Sequence, residues 1–232
     1  MQAASGVIPA SSQKFGMKVW TYKVGCPQAV FKKNPPPTHT HDSSPPGMMA
    51  PRWHVLRTTY GQEKKAFDYM QARGVKVFLP TERIVRLVKG KRRQLEKSLV
   101  PNMFFAFGTE DELKAFVFDN VNLPFLRFYY NFYHEGKVRK KIPLTVPSSQ
   151  MRSFQIICEA DSSDAIVSVR PIPRFLRGER ARVTSGRFAG VEGRVVRYKG
   201  QQRVGMVIDG LLSVATAYIP EAFLQRIDDD EV

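Results

Sequence analysis

The chain has 232 residues, enough for one or two domains, and 43% of them are hydrophobic, which is sufficient for ordinary cores. The formal net charge of +15 indicates an anionic partner, and nucleic acid is the commonest such partner of a soluble protein. The two cysteines form neither a CxxC pair nor a disulfide framework, and no apolar run reaches the roughly 18 to 20 residues that span a bilayer. We therefore exclude a disulfide scaffold and a membrane partner, and we expect a cytoplasmic protein.

The first 51 residues differ in composition from the rest of the chain. The stretch NPPPTHTHDSSPPGMMAP is rich in proline, serine, threonine and histidine and has no apolar periodicity. Such a segment cannot bury enough surface to offset its ordering entropy, so we predict that residues 1–51 are a disordered extension. His39 and His41 lie in this tract, where two histidines make a poor metal site. We expect no metal and no cofactor.

Order is predicted to begin at RWHVLRT, in which Trp53, Val55 and Arg57 alternate as on a half-buried strand. The stretch GQEKKAFDYMQARG has apolar residues at helical spacing, and Gly74 stands where a helix C-terminus favours a left-handed residue. VKVFLP then returns as a strand, which gives a β-α-β start.

Further strands and helices alternate up to residue 160. Two apolar runs flank Lys89, Gly90 and Lys91, and this pattern predicts a β-hairpin. NMFFAF and FLRFYYNFYH are predicted strands, and EDELKAFVF between them is a predicted helix with an acidic first turn. VPSSQMRSFQIICEA predicts a helix with Ser148 or Ser149 as its N-cap. Residues 52–160 should therefore form an α+β domain, with an antiparallel or mixed sheet flanked by helices.

A linker is predicted at residues 161–173, because DSSDAIVSVRPIP contains turn formers and two prolines. Short strand-like runs separated by glycines follow. They predict a small closed all-β barrel over residues 174–228. Residues 229–232 are an acidic tail.

Three glycines in GRFAGVEGRV raise the question of a phosphate-binding loop. A P-loop needs Gly-Lys-Ser/Thr, which is absent, and a dinucleotide fingerprint must open a helix, whereas RVVRYKG has the composition of a strand. We interpret the stretch as a turn in which Gly186 and Gly190 adopt backbone conformations that other residues resist. Phe188 would fill a core between them, and Gly193 would let a strand approach its neighbour closely.

These residues carry a family resemblance. GERARVTSGRFAGVEGRVV resembles a KOW motif, the strand-loop-strand signature of a small SH3-like barrel. RWHVLRT, FLPTERIVRLVKGKRR and LVPNMFFAF are similar to the N-terminal domain of the NusG family, and the combination with a KOW barrel is specific to that family. The KGKRR tip and the Pro-Asn before the apolar strand resemble the specialised paralogues of the UpxY and RfaH type.

The resemblance implies a transcription elongation and antitermination factor that docks an apolar face on the clamp helices of the RNA polymerase largest subunit. From the residues alone, NMFFAF and FLRFYYNFY contain more aromatics than one small sheet needs inside, which indicates a binding surface. The alternative is that they form the core of a two-faced sheet. The implied face and its rim comprise Arg57, Tyr60, Val100, Pro101, Met103, Phe105 and Phe128.

Seven cations crowd the predicted hairpin against two glutamates. We interpret the excess as a surface for nucleic-acid phosphates, the alternative being a solvated basic edge that guards against aggregation. By the resemblance, this surface extends along the first helix toward non-template DNA or the nascent transcript. The candidate residues are Lys65, Arg73, Lys76, Lys89, Lys91, Arg92 and Arg93.

The implied mechanism is a clamp that holds the polymerase cleft closed and so suppresses pausing and termination, in a polysaccharide-type operon. The KOW barrel would recruit termination factor Rho or a small-subunit ribosomal protein through Phe188, Ile208, Leu211 and Leu212. The alternatives are a general elongation or Rho-dependent termination factor and, from another class, a ribosome-associated RNA binder. No motif joins a histidine to a carboxylate or nucleophile, so we assign no catalytic residue and expect a monomeric, non-enzymatic protein.

Overall fold

The computed structural model of the chain describes residues 50–88, 90–118, 120–135, 138–160, 164–208 and 211–227. The predicted disordered extension lies outside the described residues except for Ala50 and Pro51. The predicted acidic tail and Lys89 lie outside them as well.

Strands and helices alternate over residues 52–160, as the sequence predicts. The first elements are β1 (Arg52–Thr58), α1 (Glu63–Gln71), β2 (Lys76–Phe78), β3 (Thr81–Val88), β4 (Lys91–Ser98), β5 (Met103–Gly108) and α2 (Glu110–Val117). The later ones are β6 (Leu126–Phe128), β7 (Tyr130–Glu135), β8 (Val138–Pro143), β9 (Thr145–Val146) and α3 (Ser148–Glu159).

β1 is the central strand of the first sheet. The strand order is β2-β5-β1-β6, every pair is antiparallel, and β9 also pairs with β1. The prediction of a half-buried, alternating strand is wrong, because all residues from Trp53 to Leu56 are buried. Both faces of the sheet are covered: Val55 shares an apolar cluster with Phe154 of α3, and Leu56 shares another with Met70 of α1.

Local sequence signals set the ends of the first two helices. The turn after α1 contains Gly74 with φ of +80°, which confirms the left-handed residue predicted there. α2 begins with a capping box, in which the Thr109 hydroxyl accepts the Glu112 N–H and the Glu112 carboxylate accepts the Thr109 N–H. The predicted acidic first turn of α2 is also confirmed.

Two hairpins stand as separate two-stranded sheets, β3–β4 and β7–β8. The first was predicted, and its register runs from Thr81 opposite Ser98 to Val88 opposite Lys91. The second was not, because the aromatic run that contains β6 and β7 is continuous in sequence. In the structure β6 pairs with β1, whereas β7 leaves the sheet and pairs with β8.

The C-terminal half is a six-stranded antiparallel sheet. Its strands are β10 (Ile166–Ser168), β11 (Arg180–Val183), β12 (Glu192–Tyr198), β13 (Gln201–Ile208), β14 (Leu212–Ala215) and β15 (Leu224–Arg226). Their order is β10-β14-β13-β12-β11-β15. Within the described residues the two end strands do not pair, so the predicted closure into a barrel is not confirmed. β10 occupies the outer edge of β14, and it lies within the predicted linker, so part of that segment belongs to the sheet.

The glycine-rich stretch before β12 is a turn, as predicted. Gly186 and Gly190 have φ of +82° and +88°, the left-handed region that side chains disfavour. Phe188 between them is 3% exposed. A Cβ at Gly193 would lie 2.6 Å from the carbonyl oxygen of Gly205, so the close approach of β12 to β13 requires glycine there.

α3 connects the two halves of the chain. Its N-cap is Pro147 and no side chain caps it, so the predicted serine cap is wrong: Ser148 already lies inside the helix. The buried Ser153 hydroxyl accepts the backbone N–H of Glu192 at 2.9 Å. One apolar cluster contains residues of the first sheet, of α3 and of the C-terminal sheet, so the described residues share a continuous core.

Candidate nucleic-acid interface

The outer part of the β3–β4 hairpin carries unneutralised positive charge. Arg86 lies directly opposite Arg93, Leu87 opposite Arg92 and Val88 opposite Lys91. The four basic side chains are exposed. Within the described residues none of these side chains has an ion-pair or hydrogen-bond partner. Like charges directly opposite each other destabilise a hairpin, so this arrangement favours an anionic ligand.

The acidic residues of the hairpin lie near its base. Glu82 accepts a charged hydrogen bond from Lys97 at 3.2 Å, and Glu96 lies opposite Arg83. The backbone N–H of Leu99 donates to the carbonyl of Pro80 at 2.9 Å and closes the base. Positive charge is therefore balanced at the base and accumulates toward the tip.

Cations on and after α1 lie over aromatic rings. The Lys65 Nζ is 5.4 Å from the centre of the Phe125 ring, and the Arg73 guanidinium is 3.4 Å from the centre of the Tyr69 ring. Arg73 also donates to the Tyr69 carbonyl at 3.2 Å. These contacts orient the cations without neutralising their charge, so the side chains can still meet phosphates.

Lys76 has a similar position on β2. Its Nζ is 5.5 Å from the Trp53 ring centre and 5.6 Å from that of Phe107. With Lys76, the cations of α1 and those of the hairpin tip, every predicted nucleic-acid-binding residue that the structure describes has now been located. The remaining one, Lys89, lies outside the described residues.

The predicted polymerase-docking residues divide into two groups. Val100, Met103, Phe105 and Phe128 are between 0% and 7% exposed. The Phe105 ring packs edge-on against Phe154 of α3 with 5.7 Å between ring centres. These four side chains therefore form core in this structure rather than an open apolar face. The reason is that α3 and the second apolar cluster cover the two sides of the sheet.

The other three predicted docking residues are exposed, and two of them lie on interlocked turns. Tyr60, with φ of +59°, is 93% exposed. Asn102, with φ of +62°, accepts the Gly61 N–H on its Oδ1 at 2.9 Å and donates its own N–H to the Glu63 carboxylate at 3.3 Å. The exposed Pro101 precedes Asn102. Two non-glycine residues in the left-handed region indicate local backbone strain that this network holds in place.

Sequence reasoning marked FLRFYYNFY as a stretch with excess aromatics but named only Phe128 from it, and the residues it leaves exposed lie instead on the β7–β8 hairpin. Phe132 is 51% exposed and Tyr133 is 43% exposed. The Arg139 guanidinium lies 4.1 Å from the Phe132 ring centre, and Lys141 Nζ lies 4.8 Å from that of Tyr130. The alternation of aromatic and basic residues in YNFYHEGKVRKKIP was the signal that could have revealed this face.

The predicted partner-binding rim of the C-terminal half is buried. Phe188, Ile208, Leu211 and Leu212 are at most 7% exposed and belong to the shared core. A cleft of about 520 Å³ lies beside the glycine turn, lined in part by Gly186, Phe188, Tyr218 and Phe223. Exposed apolar surface in this region comes from Tyr218 and Phe223 instead.

Two titratable groups in the described part of the chain have pKa values shifted by burial. Burial lowers the pKa of His54 from its usual value, and the nearby Glu110 and the Gly108 backbone raise it only in part. Burial raises the pKa of the Cys158 thiol to about 12. The described residues contain no group of three or more side chains able to hold a metal ion. No described helix is both long and apolar enough to cross a membrane.

The fold and its surfaces define an α+β domain with a cationic hairpin, continuous with a six-stranded β-sheet. Residues 51–155 match the model of the family described as "Transcription termination factor nusG". This part of the chain is therefore similar to the NusG family.

A solved structure described as "Domain interaction in Thermotoga maritima NusG" is also similar to the chain. It has 18% sequence identity and a TM-score of 0.37, with 77% of this chain and 98% of that chain covered. No curated protein matches the chain.

Proposed function

We propose that this chain is a transcription antitermination and elongation factor of the UpxY and RfaH type. It binds the clamp helices of the RNA polymerase largest subunit through residues 52–160 and suppresses pausing and termination, in a polysaccharide-type operon. The NusG match over residues 51–155 supports transcription as the process. The main structural support for the proposal is the row of exposed, unpaired cations on the outer part of β3–β4. These cations suit the phosphates of nucleic acid at the polymerase.

Docking begins at the exposed residues and requires uncovering of the rest. Tyr60, Pro101 and Arg57 are accessible without rearrangement. Met103 shares its apolar cluster with Phe188 of the C-terminal half, so separation of the halves would increase the apolar surface around it. A polymerase that binds the separated form would shift the population toward it.

The C-terminal half is proposed to be a KOW domain over residues 174–228, preceded by a linker at 161–173. The left-handed Gly186 and Gly190, the buried Phe188 and the close strand approach at Gly193 support this assignment. Its partner is Rho or a small-subunit ribosomal protein, bound by apolar residues of the turn region after the halves separate. The protein acts in the cytoplasm as a monomer.

Purified components test the proposal. The full chain should bind core RNA polymerase after nuclease treatment, and read-through of an intrinsic terminator should increase when the chain is added to purified transcription complexes. A clamp-helix deletion in the polymerase should abolish both effects. If the chain does not bind intact polymerase, either free or on a template, the proposal is contradicted.

Two alternatives give different results in the same experiments. A general elongation and termination factor would increase Rho-dependent termination, and the family description, which names a termination factor, favours keeping this candidate. A ribosome-associated RNA binder would need ribosomal RNA for every interaction, so nuclease treatment would remove its binding to polymerase-containing fractions.

A further inference from the structure

The β7–β8 hairpin is a distinct surface, separate from the cationic β3–β4 hairpin. It forms its own two-stranded sheet. Its base is held by three backbone hydrogen bonds: Tyr129 N–H to Val55 at 2.9 Å, Val55 N–H to Leu144 at 3.0 Å and Leu144 N–H to Tyr129 at 2.7 Å. These hydrogen bonds therefore anchor the base of the hairpin to Val55 of the central strand β1.

One face of this hairpin combines aromatic rings with cations. Phe132 lies directly opposite Lys141, and Tyr130 lies opposite Pro143. Residues paired in this way share a face of the ribbon. Arg139 reaches the Phe132 ring at 4.1 Å and Lys141 reaches the Tyr130 ring at 4.8 Å, so rings and charges interleave along the face.

The opposite face has an aromatic ring and polar donors. Tyr133 lies opposite Lys140 and is 43% exposed. Asn131 is exposed, and its Oδ1 accepts the Phe132 N–H at 2.9 Å. The amide N–H groups of the Asn131 side chain have no partner among the described residues. They and the Tyr133 hydroxyl can therefore bond to a ligand hydroxyl.

The charge and the aromatic side chains of the β7–β8 hairpin together indicate what kind of ligand it binds. The stretch from Tyr130 to Pro143 contains four lysines or arginines and one glutamate, so an anionic ligand fits it. On β3–β4, by contrast, the exposed large hydrophobic residues are the aliphatic Val85, Leu87 and Leu95. Exposed aromatic rings can stack on unpaired bases irrespective of sequence, which aliphatic side chains cannot do. A duplex keeps its bases stacked inside and would use only the cations.

We propose that the β7–β8 hairpin binds single-stranded RNA, with Phe132 as a base-stacking residue and with Arg139 and Lys141 contacting phosphates. The choice of RNA over DNA depends on Asn131 and Tyr133 on the opposite face, which the strand reaches by passing around the edge of the hairpin. Only RNA carries the 2′-hydroxyl groups that these side chains can bond. It also rests on the proposed function, since a transcription factor meets the emerging transcript as a continuous single strand.

The test measures fluorescence anisotropy of a labelled, unstructured 12-nucleotide RNA titrated with the full chain. Phe132→Ala should weaken binding about five-fold or more, the effect of losing one stacked base, whereas Phe132→Trp should bind within about two-fold of the wild type. Leu176→Ala is the matched control, because it removes an exposed large apolar side chain from the C-terminal half, outside both hairpins. It should leave RNA binding unchanged.

Salt and competing strands complete the experiment. Arg139→Ala with Lys141→Ala should reduce the slope of log Kd against log salt by about 1.4, because each single-strand phosphate contact contributes about 0.7.

The same sequence as single-stranded DNA, or as RNA duplex, should bind more weakly than the RNA strand. An equal affinity for DNA or duplex would overturn the assignment to RNA. An unchanged affinity in Phe132→Ala, with the fold retained by circular dichroism, would overturn the stacking role.

This outcome is independent of polymerase binding. A chain that binds polymerase but not the RNA oligonucleotide would refute the hairpin proposal alone. A chain that binds the RNA but not polymerase would refute the proposed function and leave the hairpin as an RNA site.

Discussion

Arg86 and Arg93 lie directly opposite each other across the β3–β4 hairpin, and both side chains are exposed. A directly opposed pair of like charges destabilises a two-stranded sheet by up to about 1 kcal/mol. The pair therefore lowers the local stability of the hairpin in the free protein, and a bound phosphate would relieve the repulsion. Stability and binding should respond to its removal with opposite signs.

Arg93→Glu should stabilise the free hairpin and weaken nucleic-acid binding. The new carboxylate would pair with Arg86, which contributes about 0.5 kcal/mol of local stability. Amide hydrogen exchange of β3 and β4 should slow, while affinity for a forked DNA falls. Arg170→Glu, an exposed reversal in the C-terminal half, should leave exchange in this hairpin unchanged. Faster exchange in Arg93→Glu would contradict the inferred repulsion.

The triple variant Lys91→Glu, Arg92→Glu, Arg93→Glu should weaken recruitment to transcription complexes more at low salt than at high salt. Screening at high ionic strength reduces the contribution of exposed charges in the wild type, so the difference between the proteins should shrink. The matched control reverses Arg170, Arg174 and Arg177, which are exposed in the C-terminal half. Equal losses in both triple variants would mean that net charge, rather than the hairpin, determines recruitment.

Features with a local cause could be predicted from the sequence. Gly74, Gly186 and Gly190 take left-handed conformations because a turn requires them within a few residues, and the hairpin at Gly90 follows from its flanking strands. Burial at Phe105 could not be predicted in the same way. It depends on Phe154, which lies far along the chain and packs against it only in the tertiary structure. The division of the aromatic run after Phe125 into two sheets likewise depends on pairing with distant strands.

His54 should make folding stability pH-dependent on the acid side. Burial lowers its folded-state pKa below the unfolded value near 6.5, so well above pH 6.5 both states are neutral and this group costs no stability. As pH falls below 6.5, the unfolded chain binds a proton that the folded chain excludes. Urea-unfolding free energies should then fall by up to ~1.4 kcal/mol per pH unit from this group. His54→Gln should lack this component, and identical slopes in both proteins would contradict it.

Cys158 should be unreactive in the folded chain at neutral pH. A thiol must ionise to attack a disulfide reagent, and burial raises the pKa of this one to about 12. In a Cys26→Ser background, a chromogenic disulfide reagent should label Cys158 only after denaturant is added. The same protein in urea supplies the reference for complete labelling. Rapid labelling in buffer would contradict the raised pKa of this thiol in the folded chain.

The hydrogen bond from Glu192 N–H to the Ser153 hydroxyl provides a way to test whether the two halves separate. Ser153→Ala leaves a partly buried N–H unsatisfied, which should lower the free energy of unfolding by about 1–3 kcal/mol. Ser149→Ala, at an exposed position of the same helix, should change it by less than about 0.5 kcal/mol. If the C-terminal half covers part of the docking surface, Ser153→Ala should bind polymerase more tightly although it is less stable. A merely structural serine would give equal or weaker binding, and that result would contradict the covering arrangement. Opposite signs in the two measurements are therefore the signature to look for, because a general loss of folding lowers both.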